Sequence, residues 1–270
     1  MAAPIRQKRR LVSPPCFAHS SGVTAQLTFG GNSFELAGEA ALYWPAHRAL
    51  LVADLHLEKA SSYAMGGQFL PPYDSRATLE ELAGLARKYA VRAIYCLGDN
   101  FHDDGGEARL EGDAAKLLRH LTARHDWRWI VGNHDPGIAA SFGGGVHDEY
   151  CLDGIILRHE ADPHDPRPEL SGHFHPKFRQ GIRGRLVSRR CFVRSATKLI
   201  LPAFGALTGG LDADDPAIGA AIGHCRSDAL VHAAGRALCF PLSGGLARSE
   251  QGCADADMRR AQHDGGGEIV

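Results

Sequence analysis

No stretch of this chain approaches the roughly 18 consecutive apolar residues of a membrane-spanning helix, so no membrane contact is expected. A charge excess is also missing: 30 basic residues stand against 31 acidic ones, for a net charge of −1. Any binding to nucleic acid must therefore come from a local patch, not from bulk charge. There is no CxxC pair. The seven cysteines (16, 96, 151, 191, 225, 239 and 253) are odd in number and widely spaced, which argues against a disulfide framework and a thiolate zinc knuckle. The opening MAAPIRQKRRLVSPP has no apolar signal-peptide core. A reducing cytoplasm is the expected compartment. Against these shortages stands one abundance, 15 histidines, several of them beside aspartate or glycine.

The polar ends 1–20 and 246–270 read as a flexible lead and tail around one domain, 21–245. Short apolar runs at 23–29, 34–37, 41–44 and 49–53 read as strands, the last (ALLVA) covered on both faces. Helical spacing predicts helices over 75–89 and 108–124, with strands at 93–97 and 129–131 between and after them. Beyond Gly145 the pattern predicts strands only: 150–152, 155–159, 170–171, 178–182, 191–194, 198–201, and a hairpin over 229–240. A βαβαβ half followed by a β-rich half implies an α/β (α+β) fold, with two sheets packed face to face and helices outside.

The buried runs end alike. ALLVA meets Asp54–Leu55–His56, AIYCL meets Gly98–Asp99, and WIV meets Gly132–Asn133–His134–Asp135. GIILR meets His159, and the run at 170 meets Gly172–His173–Phe174–His175. Ligand sites of α/β sheets lie beyond the carboxyl ends of strands. Strand alternation would send Asp54 and His56, and likewise His173 and His175, to one side. Carboxylates, imidazoles and one amide together suit divalent ions of intermediate hardness, such as Mn²⁺, Fe²⁺ or Zn²⁺.

The ordered series D-x-H, G-D, G-N-H-D, H and G-H-x-H resembles that of the calcineurin-like metallophosphoesterases. The resemblance implies a four-layer fold, two packed β-sheets flanked by helices, with a two-metal site at the strand ends. By matched position, Asp54, His56, Asp99 and His175 would hold one metal. Asp99 would bridge to a second, completed by Asn133, His159 and His173. His134 would reach the scissile phosphate, and Asp135 would orient it. Two cations about 3.5–4 Å apart would activate a shared water for in-line attack on phosphorus. The pair His102–Asp103, GHFHPKFR (172–179) and LPAFGALTGGLD (201–212) further resemble the bacterial DNA-ligase-associated metallophosphoesterases. That implies a cytoplasmic, Mn²⁺-dependent DNA endonuclease acting in DNA repair beside an ATP-dependent ligase, a helicase and an exonuclease.

Three features keep two readings. His102 and Asp103 are either a helix-capping loop or a substrate-side pair. The run 177–198, with Lys177, Arg179, Arg183, Arg185, Arg189, Arg190, Arg194 and Lys198 and no acidic residue, is either a charged edge hairpin or a phosphate-backbone track led by Arg183 and Arg185. The chain as a whole could instead hydrolyse small nucleotide or lipid-precursor phosphoesters, or serve as a metal-bound scaffold in a repair complex. Six His–Asp dipeptides suggest a helical His–Asp phosphohydrolase site, but His134–Asp135 follows a strand and precedes Pro–Gly.

Overall fold

The computed structural model describes residues 25–182 and 184–243; the predicted lead and tail lie outside the described residues. Four antiparallel-linked strands open the chain: β1 (Gln26–Phe29), β2 (Asn32–Ala37), β3 (Ala41–Trp44) and β4 (Ala49–Val52). Then come α1 (Lys59–Met65), α2 (Asp74–Lys88) and β5 (Ala93–Leu97). The helical turn α3 (Gly106–Arg109), α4 (Gly112–Arg124), β6 (Asp126–Ile130) and β7 (Gly145–His147) follow. These seven strands form one sheet in chain order, and β4 to β7 run parallel.

The second sheet holds β8 (Tyr150–Leu152), β9 (Ile155–Leu157), β10 (Glu169–Ser171), β13 (Phe192–Arg194), β14 (Lys198–Ile200), β15 (Asp228–Ala233) and β16 (Arg236–Pro241). Its order is β16-β15-β13-β14-β10-β9-β8, with β9, β10 and β14 mutually parallel. Between β10 and β13 in sequence, β11 (Lys177–Ile182) and β12 (Arg185–Arg190) form a separate two-stranded sheet, and Lys177 of β11 also bridges Asp212. The helix α5 (Pro216–Ala221) completes the set.

The sheets pack face to face. Leu51, Tyr95 and Ile130 from the first meet Leu157, Leu170 and Phe192 from the second in one buried cluster. On the other face of the first sheet, Leu79 and Leu82 of α2 and Leu118 and Leu121 of α4 cover Leu50, Ile94 and Trp129. Ile218 of α5 does the same for Val193 and Ile200 of the second. The layering is thus helix, sheet, sheet, helix, as predicted. Local expectations differ in places: β7 and β12 were not foreseen. A helix does occur after Gly145, where Asp215 caps α5 by accepting the Ala217 N–H at 2.9 Å. The predicted helix over 108–124 starts at Gly112, because Leu110 leaves α3 in an extended conformation (ψ 112°) and buries its side chain. The short α1 was not foreseen; only Ala60 of its seven residues is buried, so it shows no apolar stripe.

A buried ion cluster ties the three parallel strands of the second sheet together. Glu169 is fully buried, with Lys198 Nζ at 3.0 Å and Arg158 Nη1 at 3.3 Å from its carboxylate. These residues sit on β10, on β14 and just after β9, immediately before His173 and His159 leave the sheet. Glu169→Ala is expected to cost about 3–5 kcal/mol, since it takes the paired carboxylate from the buried Lys198, while Arg158 keeps Asp165, Glu149 and Asp162. Urea unfolding checks this; a loss under about 1 kcal/mol at unchanged m would show that the cluster does not brace the strands.

Candidate metal centre

Two groups of donor atoms face each other across Asp99. On one side, His56 Nε2 and His175 Nε2 lie 3.2 Å apart. His175 Nε2 is 3.4 Å from Asp54 Oδ1, and His56 Nε2 is 3.7 Å from Asp99 Oδ2. On the other, His159 Nε2 and His173 Nδ1 each lie 2.9 Å from Asn133 Oδ1 and 3.1 Å from one another. His159 Nε2 is 3.3 Å from Asp99 Oδ1. The structure therefore brings all seven predicted ligand residues together, with one oxygen of Asp99 turned to each group. Lone pairs from carboxylate, amide and imidazole groups crowd into one small volume here. A cation in each group fits that donor set.

The route to this geometry differs from the expected one. β4 has already ended at Val52, and Asp54 (φ 54°) and His56 (φ 43°) are left-handed, not extended. Asp99 (φ 46°), His173 (φ 71°) and His175 (φ 47°) share this conformation. Strand alternation therefore does not aim these side chains; tight turns after the strands do. Each left-handed non-glycine residue costs about 1–3 kcal/mol and persists only where its surroundings fix it. Motif glycines let the turns close on one another. A Cβ at Gly98 would fall on the His159 ring, and one at Gly132 on the Asp99 backbone.

His134 lies at the mouth of the site with 40% of its side chain exposed. Its backbone N–H donates to Asp99 Oδ1 at 2.9 Å, and its Nδ1 lies 2.8 Å from the His102 carbonyl. That carbonyl requires Nδ1 to carry a proton, which leaves Nε2 facing the site, 3.9 Å from Asp99 Oδ2. Asp135 does not orient His134, contrary to expectation. Its carboxylate turns into the protein and accepts the backbone N–H groups of Asn100 (2.9 Å), Phe101 (3.1 Å) and Gly132 (3.1 Å). Asp135 is thus a brace joining the G-D and G-N-H-D turns; burial pushes its pKa up to about 6.

The expected substrate-side residues divide. His102 faces the site, its ring centroid 5.3 Å from that of His134 and 5.5 Å from that of His56. Asp103 is already paired: Arg109 Nη2 lies 2.7 Å from Oδ2, the Gly105 N–H donates to Oδ1 at 2.9 Å, and Arg109 holds its pKa down to about 2. The capping-loop reading suits Asp103. Arg185 is exposed on β12, while Arg183 lies outside the described residues. The basic run is not one cationic face. Lys198 is buried beside Glu169, Arg194 pairs with Asp228 at 3.1 Å, and Arg190 donates to the Gly205 carbonyl at 2.7 Å. Sequence reasoning missed Tyr63, whose ring centroid lies 5.5 Å from that of His102; its helix carries no motif to mark it.

Residues 47–182, which hold every residue of the two donor groups, match the calcineurin-like phosphoesterase family. The chain belongs to that family. Its members hydrolyse phosphoester bonds and typically bind two divalent metal ions. Among solved structures, the Pseudomonas putida nuclease MPE is 33% identical, with a TM-score of 0.62 over 81% of this chain and 100% of its own. The Escherichia coli phosphoesterase Yfce is 12% identical, with a TM-score of 0.35 over 67% of this chain and 87% of its own. No curated protein matches significantly. No helix among the described residues is long and apolar enough to cross a membrane.

The crowded imidazoles set a pH dependence. Burial first, then the neighbouring His175 and His134, lower the His56 pKa from 6.5 to about 2. Burial also lowers those of His102 and His173. These rings resist protonation in the folded chain at pH values where the unfolded chain takes up protons more readily. They therefore cost folding nothing through proton uptake above about pH 6.5 and destabilise the fold increasingly as pH falls. The chelated protein is expected to melt at progressively lower temperature from pH 7 to pH 5. A flat melting temperature over that range would contradict this arrangement of rings.

Proposed function

We propose that this protein is a two-metal phosphodiesterase that cuts DNA internally, using Mn²⁺, in the repair or ligation of DNA. The observation that carries the proposal is Asp99, whose two oxygens each face a separate donor group. Asp54, His56, Asp99 and His175 would hold one cation; Asp99, Asn133, His159 and His173 would hold the other. Mixed nitrogen and oxygen donors suit Mn²⁺ and also admit Fe²⁺ or Zn²⁺. A cation pair supplies a nucleophile active near neutral pH and offsets phosphoryl charge.

The protein's own groups do the rest. His134, fixed through Nδ1 by the His102 carbonyl, turns Nε2 toward the site. In its protonated form it donates to a phosphoryl oxygen, and it passes that proton to the leaving oxygen as the P–O bond breaks. His102, stacked on His134, limits where the substrate can lie. The β11–β12 hairpin starts two residues after His175 and exposes Arg179, Arg185 and Arg189, which suits backbone phosphates. DNA as substrate is supported by the nuclease MPE neighbour. A role beside a ligase, a helicase and an exonuclease rests on the resemblance of the 172–179 and 201–212 stretches to ligase-associated proteins.

The test is cleavage of circular single-stranded DNA and of an aryl phosphodiester with Mn²⁺. Asp99→Asn is expected to lose both activities by at least about 10³-fold. His134→Ala is expected to retain metal but lose about 10²–10⁴-fold in kcat. Near-wild-type turnover in either variant would overturn the assigned roles. Cleavage of the aryl ester alone would move the substrate to small phosphoesters, and no turnover of either would favour a scaffold.

A further inference from the structure

Four large apolar side chains stand exposed within one stretch, residues 63–73. Tyr63 is 36% exposed, Met65 68%, Phe69 87% and Tyr73 70%. The other exposed large apolar residues among those described, Val146, Leu186, Leu211 and Leu238, are scattered along the chain. Scattered ones are ordinary; a cluster marks a contact surface.

The stretch is anchored. The Ala60 N–H donates to Asp74 Oδ2 at 3.1 Å, and the Glu58 N–H to Ser75 Oγ at 2.8 Å, so the start of α1 is pinned to that of α2. Arg109 Nε holds Ser61 Oγ at 3.1 Å. Past Met65 the chain turns at Gly66–Gly67, and the Gln68 N–H returns to the Tyr63 carbonyl at 3.0 Å. Phe69 is thereby kept beside the end of α1. The stretch also adjoins the metal centre. The Tyr63 ring is 5.5 Å from that of His102, which is itself 5.5 Å from that of His56. Lys59 Nζ lies 5.8 Å from the Tyr63 ring centroid and so adds a cation to the same edge.

We propose that Tyr63, Phe69 and Tyr73 form a shelf on which unpaired DNA bases stack, holding the strand with a phosphate over the metal centre. The proposal rests on the DNA reading above and adds to it a strand form and the residues that select it. Aromatic faces accept any base, so a stacking shelf grips a strand without reading its sequence. A duplex keeps its base faces stacked inside and cannot use the shelf. The neighbouring Lys59, with three aromatic rings among four apolar groups, suits bases joined by phosphates better than an uncharged protein surface.

The double variant Phe69→Ala/Tyr73→Ala tests this, with both changes outside the metal centre. Substrates are a single-stranded oligonucleotide, the same sequence as duplex, and bis(p-nitrophenyl) phosphate, all with Mn²⁺. Each stacked base lost is worth about five- to 150-fold. KM for the single strand is expected to rise about tenfold or more, with turnover of the aryl diester unchanged and with recovery in Phe69→Trp/Tyr73→Trp. Abasic sites scanned along the oligonucleotide should harm the wild type at one or two positions and the variant at none. An unchanged KM for the single strand overturns the shelf. So does an equal loss on the aryl diester, or a change in sedimentation of the free protein, which would assign the patch to protein contact. Wild-type protein that cleaves the aryl diester but no oligonucleotide overturns the DNA reading, and the shelf with it.

Discussion

Asp99 is the residue on which the rest of the site depends. Its carboxylate must present one oxygen to His56 and the other to His159, while Oδ1 also accepts the His134 backbone N–H. Such a group can be neither loosely held nor freely rotating. Two pairs of imidazoles and an amide oxygen converge on the same small volume, and their lone pairs repel one another unless cations lie between them. Burial disfavours the protonated form of His56 and His173, and an unprotonated ring nitrogen is the form that can donate to a metal ion.

The fold meets this demand by bringing the ends of parallel strands from both sheets to one place. β4, β5 and β6 deliver Asp54, Asp99 and His134 from the first sheet; β9 and β10 deliver His159 and His173 from the second. The large apolar interface between the sheets fixes those ends relative to each other. Local strain is then tolerated where it serves the site, in five left-handed ligand positions. The Arg158–Glu169–Lys198 cluster and the buried Asp135 carboxylate hold the turns from behind. Both are ionic and buried, so both depend on complete pairing to be favourable.

Much of this was legible in the sequence because the strands are short apolar runs and each ends in an ordered polar motif. That order identified the residues that converge. What the sequence did not carry was how they converge. Alternation suggested that Asp54 and His56 continue a strand, whereas left-handed turns aim them. Adjacency suggested that Asp135 serves His134, whereas Asp135 points inward and a carbonyl from another loop holds the ring. A run of eight cations suggested one face, but strand pairing sends Lys198 into the interior and Arg194 to Asp228. Tyr63 and its helix were missed because exposed aromatics on a one-stripe-free helix leave no periodic signal. In each case the deciding contact joins residues far apart in the chain.

The central claim is that Asp99 joins two cation positions into one centre. The most direct measurement is Mn²⁺ titration of the chelated protein, read by bound stoichiometry and electron paramagnetic resonance. The account predicts two ions per chain with the multiline spectrum of a spin-coupled pair, and loss of that coupling in Asp99→Asn. One ion per chain, or two that remain magnetically independent in the wild type, would contradict it.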